Sequence, residues 1–197
     1  TLRDRGELTV RVNATRILSP PFGDRAAVAA KLNELAGYAT AGEPNGPTGV
    51  GDHWVRVGPM KVFLDGGMLN GTAYMREPWG VSSIYSIVDP AYRGLLYIPH
   101  EKLVPMVRAA VESGLQFTAH SVGDGAVHAL LAAYEEVNKS TPIASTRPCL
   151  THSNFMSKEA VEQAARLGVV CDIQPAWLWL DGETLRALIG TLARQFR

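Results

Sequence analysis

Cysteine is scarce in this chain, net charge is absent, and no apolar run is long enough to cross a bilayer. The two cysteines, Cys149 and Cys171, both lie inside apolar strand-like runs. A free cysteine there behaves as a small hydrophobe, so no disulfide is expected, and a reducing, cytoplasmic compartment is. Nineteen Lys and Arg balance nineteen Asp and Glu. Without a basic excess, neither nucleic acid nor an anionic membrane surface is the expected partner. No stretch approaches the roughly 20 apolar residues of a membrane span. The chain starts at Thr1 with no charged-then-apolar leader, so no signal peptide is read. Low-complexity segments and internal repeats are missing too. What remains is a balanced composition, 46% hydrophobic and 19% charged over 197 residues. That suits one domain, residues 1–197, with a substantial core. The start at Thr1 and the end at Arg197, just after a helix-like segment, suggest an internal fragment.

Residues 7–13 alternate polar and apolar types and are rich in β-branched ones, which reads as a strand. Asp24 can cap a helix carrying Ala27, Val28, Leu32, Leu35 and Ala36, with Gly37 as its stop. Glycine and proline crowd residues 38–59, a loop. Residues 60–64 form a second strand. A long irregular stretch, 66–98, follows, holding Tyr74, Trp79, Tyr85, Tyr92 and Tyr97. Loops of that length are usually lids or binding loops. Pro99 opens a helix with Leu103, Val107, Ala110 and Val111 on one face, closed by Gly114, with Pro105 as a kink or a later start. Residues 115–120 are the third strand. Asp124 leads a helix with Val127, Leu130, Leu131, Tyr134 and Val137 at helical spacing. Residues 149–152 are the fourth strand, Ser157 caps the next helix, and Gly168 ends it. Residues 169–174 are the fifth strand, stopped by Pro175, and a last helix starts near Glu183. Strict β-α alternation implies an α/β fold with a parallel sheet and right-handed crossovers. Five strands suit an open flavodoxin-like sheet or about five of the eight strands of a barrel.

Three of these strands end on potential metal ligands or near them. In a parallel sheet all strand C-termini point to the same side, so residues far apart in sequence converge there. His120 closes an apolar strand and shares a face with Thr118. His152 closes the next in the same way. Neighbouring strands lie about 4.8 Å apart, so both imidazoles could reach one divalent ion at about 2.0–2.1 Å. Each histidine alone reads equally well as a satisfied group at a loop start. Lys61 stands between Met60 and Val62, where burying an ammonium is costly unless it is paired or neutralised. Period two places Lys61, Phe63 and Asp65 on one face. Lys61 is then either the partner of Asp65 or Glu77, or a chemically modified ligand. The other candidates to touch a substrate are Asp65, Gly67, Arg76, Trp79 and Gln174. Arg76 could hold a carboxylate in a fork, although the loop residues among them would equally serve to pack that loop. Trp177 and Trp179 could line an apolar rim.

The ordered set Lys61-Val62-Phe63-Leu64-Asp65-Gly66-Gly67, His120-Ser121-Val122-Gly123-Asp124, Leu150-Thr151-His152, and Leu167-Gly168-Val169 leading to Gln174-Pro175 resembles the amidohydrolase superfamily, in its YtcJ-like branch (amidohydrolase family 3). The likeness spans about 115 residues. It implies a TIM-type (β/α)₈ barrel, here incomplete, with one or two divalent metals, commonly zinc. It implies that Lys61 is a carbamate formed with carbon dioxide and that His120 and His152 are metal ligands. The implied activity is hydrolysis of a non-peptide, amide-type C–N bond in a small-molecule substrate by a metal-activated water. The sequence departs from the family in lacking a His-x-His pair. Its five histidines are His53, His100, His120, His128 and His152. No aspartate after Gln174-Pro175 stands where the family has its terminal ligand, Asp172 and Asp181 being poor substitutes. The alternative is therefore an inactive remnant that only binds ligands or partners. A barrel lacking strands exposes its sheet edges, which association with another copy or with the missing segments would cover.

Overall fold

A computed structural model describes residues 2–17, 48–49 and 51–188. Five strands, β1 (Val12–Ile17), β2 (Val55–Phe63), β3 (Phe117–Ser121), β4 (Cys149–His152) and β5 (Val170–Ile173), pair in parallel in the order β1-β2-β3-β4-β5. Helix α1 (His100–Glu112) links β2 to β3, α2 (Asp124–Asn138) links β3 to β4, α3 (Lys158–Leu167) links β4 to β5, and α4 (Pro175–Leu188) follows β5. Each strand lies beside its predecessor. A flavodoxin-like sheet reverses its order at a switch point, and this one does not. Right-handed crossovers that always step the same way are the winding of a barrel, so the sheet is an open segment of one.

Period two divides the central strands into two faces. Register pairs Met60 with Phe117, Val62 with Ala119, and Ala119 in turn with Leu150. This face is buried with Leu103, Val107, Leu130 and Leu131 from the helices in the main core. The opposite face carries Lys61 beside Thr118, Phe63 beside His120, and His120 in turn beside Thr151. Helix α1 packs on α2, and α2 on α3. Tyr134 is fully buried, and its hydroxyl lies 2.8 Å from the Phe117 carbonyl and 2.9 Å from that of Cys149, tying α2 to β3 and β4.

Local signals placed the helix ends well. Ser157 Oγ accepts from the Ala160 N–H at 3.1 Å, and Gly114 and Gly168 both have φ of 69°. The largest departures from the sequence reading are in the first two strands and the last helix. The first strand begins at Val12 rather than residue 7, because its partner β2 offers pairing only from Val12↔Val55 onward. Strand β2 begins at Val55 rather than at residue 60, and includes Gly58 and Pro59. The register with β1 shifts opposite them, between Ala14 and Arg16. A Cβ on Gly58 would come 2.8 Å from the Ala14 carbonyl oxygen, so close strand approach at a bulge explains both residues. Helix α1 opens just after Pro99 as expected, and Pro105 lies inside it. The last helix starts at Pro175 rather than near Glu183: this proline occupies a first-turn position, where its missing N–H costs nothing. Asp181 thus lies inside α4. The expected helix over 24–37 falls outside the described residues, as do 38–47 of the expected loop.

The stretch from Gly66 to Ile98 contains no helix or strand, but it has a core of its own. Met68, Ala73, Met75, Trp79, Ile87 and Val122 are buried together, and the Trp79 indole N–H donates to the Ala73 carbonyl at 2.8 Å. Both cysteines are free, Cys149 buried and Cys171 exposed. Among the described residues no helix is long and apolar enough to cross a membrane.

Candidate functional site

At the C-terminal edge of the central strands, the His120 and His152 rings meet edge to face with centroids 4.6 Å apart. Strand alternation alone would not produce this contact. Register sets His120 beside Thr151 and His152 beside Ser121, so a regular strand would send the two rings to opposite faces. His152 and Ser153 instead adopt left-handed backbone, with φ of 80° and 49°. Such values are uncommon outside glycine and mark a built feature at the strand end. Lys61 stands on the His120 face, its Nζ 5.4 Å from the centre of the Phe63 ring. Its charge bears on both histidines.

The hydrogen bonds of the two imidazoles fix their tautomers. His120 Nε2 is 3.1 Å from the Gly66 carbonyl. A carbonyl only accepts, so Nε2 carries the proton and Nδ1 keeps its lone pair. His152 Nδ1 is 2.7 Å from Gln174 Oε1, which by the same reasoning leaves Nε2 with the lone pair. Burial, the dominant cause, holds both histidines below their usual pKa, and the nearby Lys61 charge adds to it. Both rings are therefore neutral at pH 7. Metal-binding histidines typically present one nitrogen while a carbonyl or carboxylate accepts from the other, and this pair is prepared in that way. Among the described residues, no group of three His, Cys, Asp and Glu side chains could hold a metal ion.

Asp65 is 1% exposed. Its Oδ1 accepts from the Val122 N–H at 3.0 Å, and its Oδ2 from the Tyr74 and Gly123 N–H groups at 3.0 and 2.8 Å. Burial pushes its pKa up to about 6, against the pull of those three donors. Its carboxylate thus bolts the 66–98 stretch to the turn that follows His120, and His120 Nε2 lies 3.7 Å away. A Cβ on Gly123 would overlap the Tyr74 carbonyl, so glycine is required for that close approach.

The residues expected to contact a substrate are thus dispersed in their contacts. Asp65 spends both oxygens on backbone. Arg76 lies on the surface, where its backbone N–H donates to Asp124 Oδ1 at 2.9 Å and its guanidinium reaches His128 and Glu159 at 3.1 and 3.3 Å. Trp79 is buried in the small core. The Gly67 N–H donates to Thr72 Oγ1 at 3.0 Å. Gln174 stands at the histidine pair as the acceptor that orients His152. Of the two rim tryptophans, Trp177 lies 6.1 Å from the His152 ring, while Trp179 is 88% exposed. The sequence reading missed the role of Asp65 because its partners are backbone groups distant in sequence. Only the Asp-Gly-Gly run after an apolar strand hinted at it.

A family model described as "Amidohydrolase family" matches residues 1–191. The chain is 31% identical over 128 residues to a protein of Bacillus subtilis (strain 168) named "Putative amidohydrolase YtcJ", covering 65% of this chain and 22% of that protein. It is 28% identical over 138 residues to "Protein LONG AFTER FAR-RED 3" of Arabidopsis thaliana, covering 70% of this chain and 22% of that protein. The chain thus spans about a fifth of the length of these relatives. Its fold matches the crystal structure of an uncharacterized metal-dependent hydrolase from Pyrococcus furiosus with a TM-score of 0.67 and 22% identity, over 93% of this chain and 32% of that one.

Proposed function

We propose that this chain, which belongs to the amidohydrolase family, carries the Lys61–His120–His152 portion of a metal-dependent hydrolytic site for amide-type C–N bonds in small-molecule substrates. The observation that carries this reading is the meeting of two neutral imidazoles, 4.6 Å between centroids, each with one N–H held by a carbonyl. A divalent ion, zinc by family resemblance and one or two in number, would be held by His120, His152 and Lys61. When bound it would ionise a water near neutral pH and polarise the substrate carbonyl. Lys61 would serve as a carbamate, formed when carbon dioxide adds to its neutral amine with loss of one proton. Gly66 and Gln174 orient the two rings, and Asp65 fixes the turn behind His120. The free cysteines and the balanced charge support a cytoplasmic setting without nucleic acid.

The test is hydrolysis of neutral N-acyl amines by the purified protein. We expect turnover that a chelator abolishes and zinc restores, with kcat/KM falling by at least about 100-fold in Lys61→Ala and His152→Ala, above the usual range for outer-shell partners. Turnover that survives the chelator, or either substitution, would contradict the reading. Metal binding without turnover would favour the alternative, a remnant that keeps the fold but binds without catalysing.

A further inference from the structure

A second cluster of chemistry-bearing side chains lies where β1 and β2 begin, at the opposite end of the sheet from the histidine pair. A cavity of about 260 Å³ is lined there by Arg11, Val12, Asn13, His53 and Arg56. Register sets Asn13 beside Arg56, and period two puts Arg11 on the same face as Asn13. Arg56 is near the start of β2 and Phe63, the neighbour of His120, is at its end, a separation of about 20 Å along the strand. The cavity is therefore distinct from the Lys61–His120–His152 site.

The local backbone holds these groups in place. The Val12 N–H donates to the Trp54 carbonyl at 2.7 Å, fastening the start of β1 to the turn that carries His53. Asp52 closes that turn: its Oδ1 accepts from the Trp54 and Val55 N–H groups at 2.8 and 2.9 Å, and its Oδ2 pairs with Arg3. Arg56 Nε donates to the Asp52 carbonyl at 3.1 Å, which orients its guanidinium. The Asp52 carboxylate is thus committed to the turn and to Arg3. Among the described residues, no Asp or Glu lines the cavity, and the side chains of Arg11, Asn13 and His53 have no hydrogen bond or ion pair. Two guanidinium groups therefore share one cavity without a countercharge in its wall.

We propose that this cavity is an anion site for a phosphate dianion, either free or as the terminal group of a phosphomonoester. The planar forks of Arg11 and Arg56 match the oxygens of such a group, and the Asn13 amide and the His53 ring supply further donors. Two positive charges favour a dianion over a monoanion. The volume falls below the about 300–1,000 Å³ usual for drug-sized ligands, which suits a compact head group. The lining residues are exposed, so the ligand enters from solvent without rearrangement of the strands. The site goes beyond the hydrolytic reading and stands without it.

Binding is measured by titration calorimetry on the purified, chelator-treated protein at low ionic strength, where exposed charges are least screened. The probes are inorganic phosphate, phenyl phosphate and acetate. We expect phosphate to bind with a Kd of about 1 mM or tighter, and Arg11→Gln and Arg56→Gln each to weaken it about fivefold, the upper range for an exposed ion pair. Acetate, a monoanion, should bind more weakly than phosphate by a similar factor. The His120→Ala/His152→Ala double variant should bind phosphate unchanged. Arg11 has no side-chain partner among the described residues, so its replacement leaves the fold intact, and circular dichroism checks both arginine variants. Tighter binding of phenyl phosphate than of phosphate would identify the ligand as a phosphomonoester, and equal or weaker binding as free phosphate; either sustains the site. No phosphate binding, equal affinity for acetate, unchanged affinity in both arginine variants, or loss of binding in the histidine double variant would each overturn the proposal.

Discussion

The centre of the sheet and its β5 edge are written in similar apolar language and meet different surroundings. Strands β3 and β4 are buried along nearly their whole length, whereas Cys171, Asp172 and Ile173 of β5 are exposed, as are Leu178, Trp179 and Leu180 of α4. An apolar run therefore specifies a strand but not its cover. Burial comes from what packs on either side, and β2 to β4 have both neighbouring strands and helices α1 to α3. The edge has α3 and β4 on one side only. The histidine pair sits where the two regions join, with His120 anchored in the rigid centre and His152 turned by left-handed backbone toward the edge.

This contrast predicts large effects in the centre and small ones at the edge. The largest is Asp65→Ala, which strands the buried N–H groups of Tyr74, Val122 and Gly123. At about 1–3 kcal/mol for each unsatisfied group, a loss of about 3 kcal/mol or more is expected by urea unfolding at pH 7.5. A loss under about 1 kcal/mol would mean that the carboxylate clamp does not organise the centre. Next comes Tyr134→Phe, which removes the hydroxyl that ties α2 to two strands while keeping the ring. About 1 kcal/mol is expected, measured in the same way.

A smaller effect is readable in pH dependence. His128 Nε2 stands 3.1 Å from Arg76 and 3.0 Å from Ser157 Oγ. Arginine can only donate, so this nitrogen must be unprotonated to accept. Burial, then the Arg76 charge, holds the His128 pKa below its usual value. Its contribution is therefore present above about pH 6.5 and lost as pH falls through the lower folded value. Asp65 acts in the opposite sense. With a pKa raised to about 6, its neutral form is favoured in the fold, and stability declines as pH rises from about 4 to about 6. His128→Gln should flatten only the first of these trends, which unfolding from pH 5 to 7.5 alongside the unchanged chain would show. An identical profile in the two proteins would count against the network. The smallest effect is expected at the edge: Trp179→Ala should alter stability by no more than about 0.5 kcal/mol. A loss above 1 kcal/mol would show that this face is covered in solution and would erase the contrast.

How much of this was legible in sequence follows the range of the interactions. Helix ends were, because a Ser157 cap and left-handed Gly114 and Gly168 are local devices with local signals. The parallel sheet was, because alternation of periods is visible without knowing partners. Gly58 and Pro59 misled because their place in a strand depends on the bulge opposite, in β1. Pro175 misled because a proline reads equally as a strand stop and a helix start. In the site, the placing of Lys61, His120 and His152 on three neighbouring strands followed from the order of the elements. The left-handed turn at His152 did not, nor did the commitment of Asp65 to three backbone donors, since any residue except proline can supply a backbone N–H.

The most direct measurement of the central claim is the divalent metal content of the purified protein, by inductively coupled plasma mass spectrometry after growth with zinc, compared with that of a His120→Ala/His152→Ala double variant. The account predicts bound metal in the first and its loss in the second, with both chains folded. Equal metal in the two, or none in the unaltered protein, would contradict it.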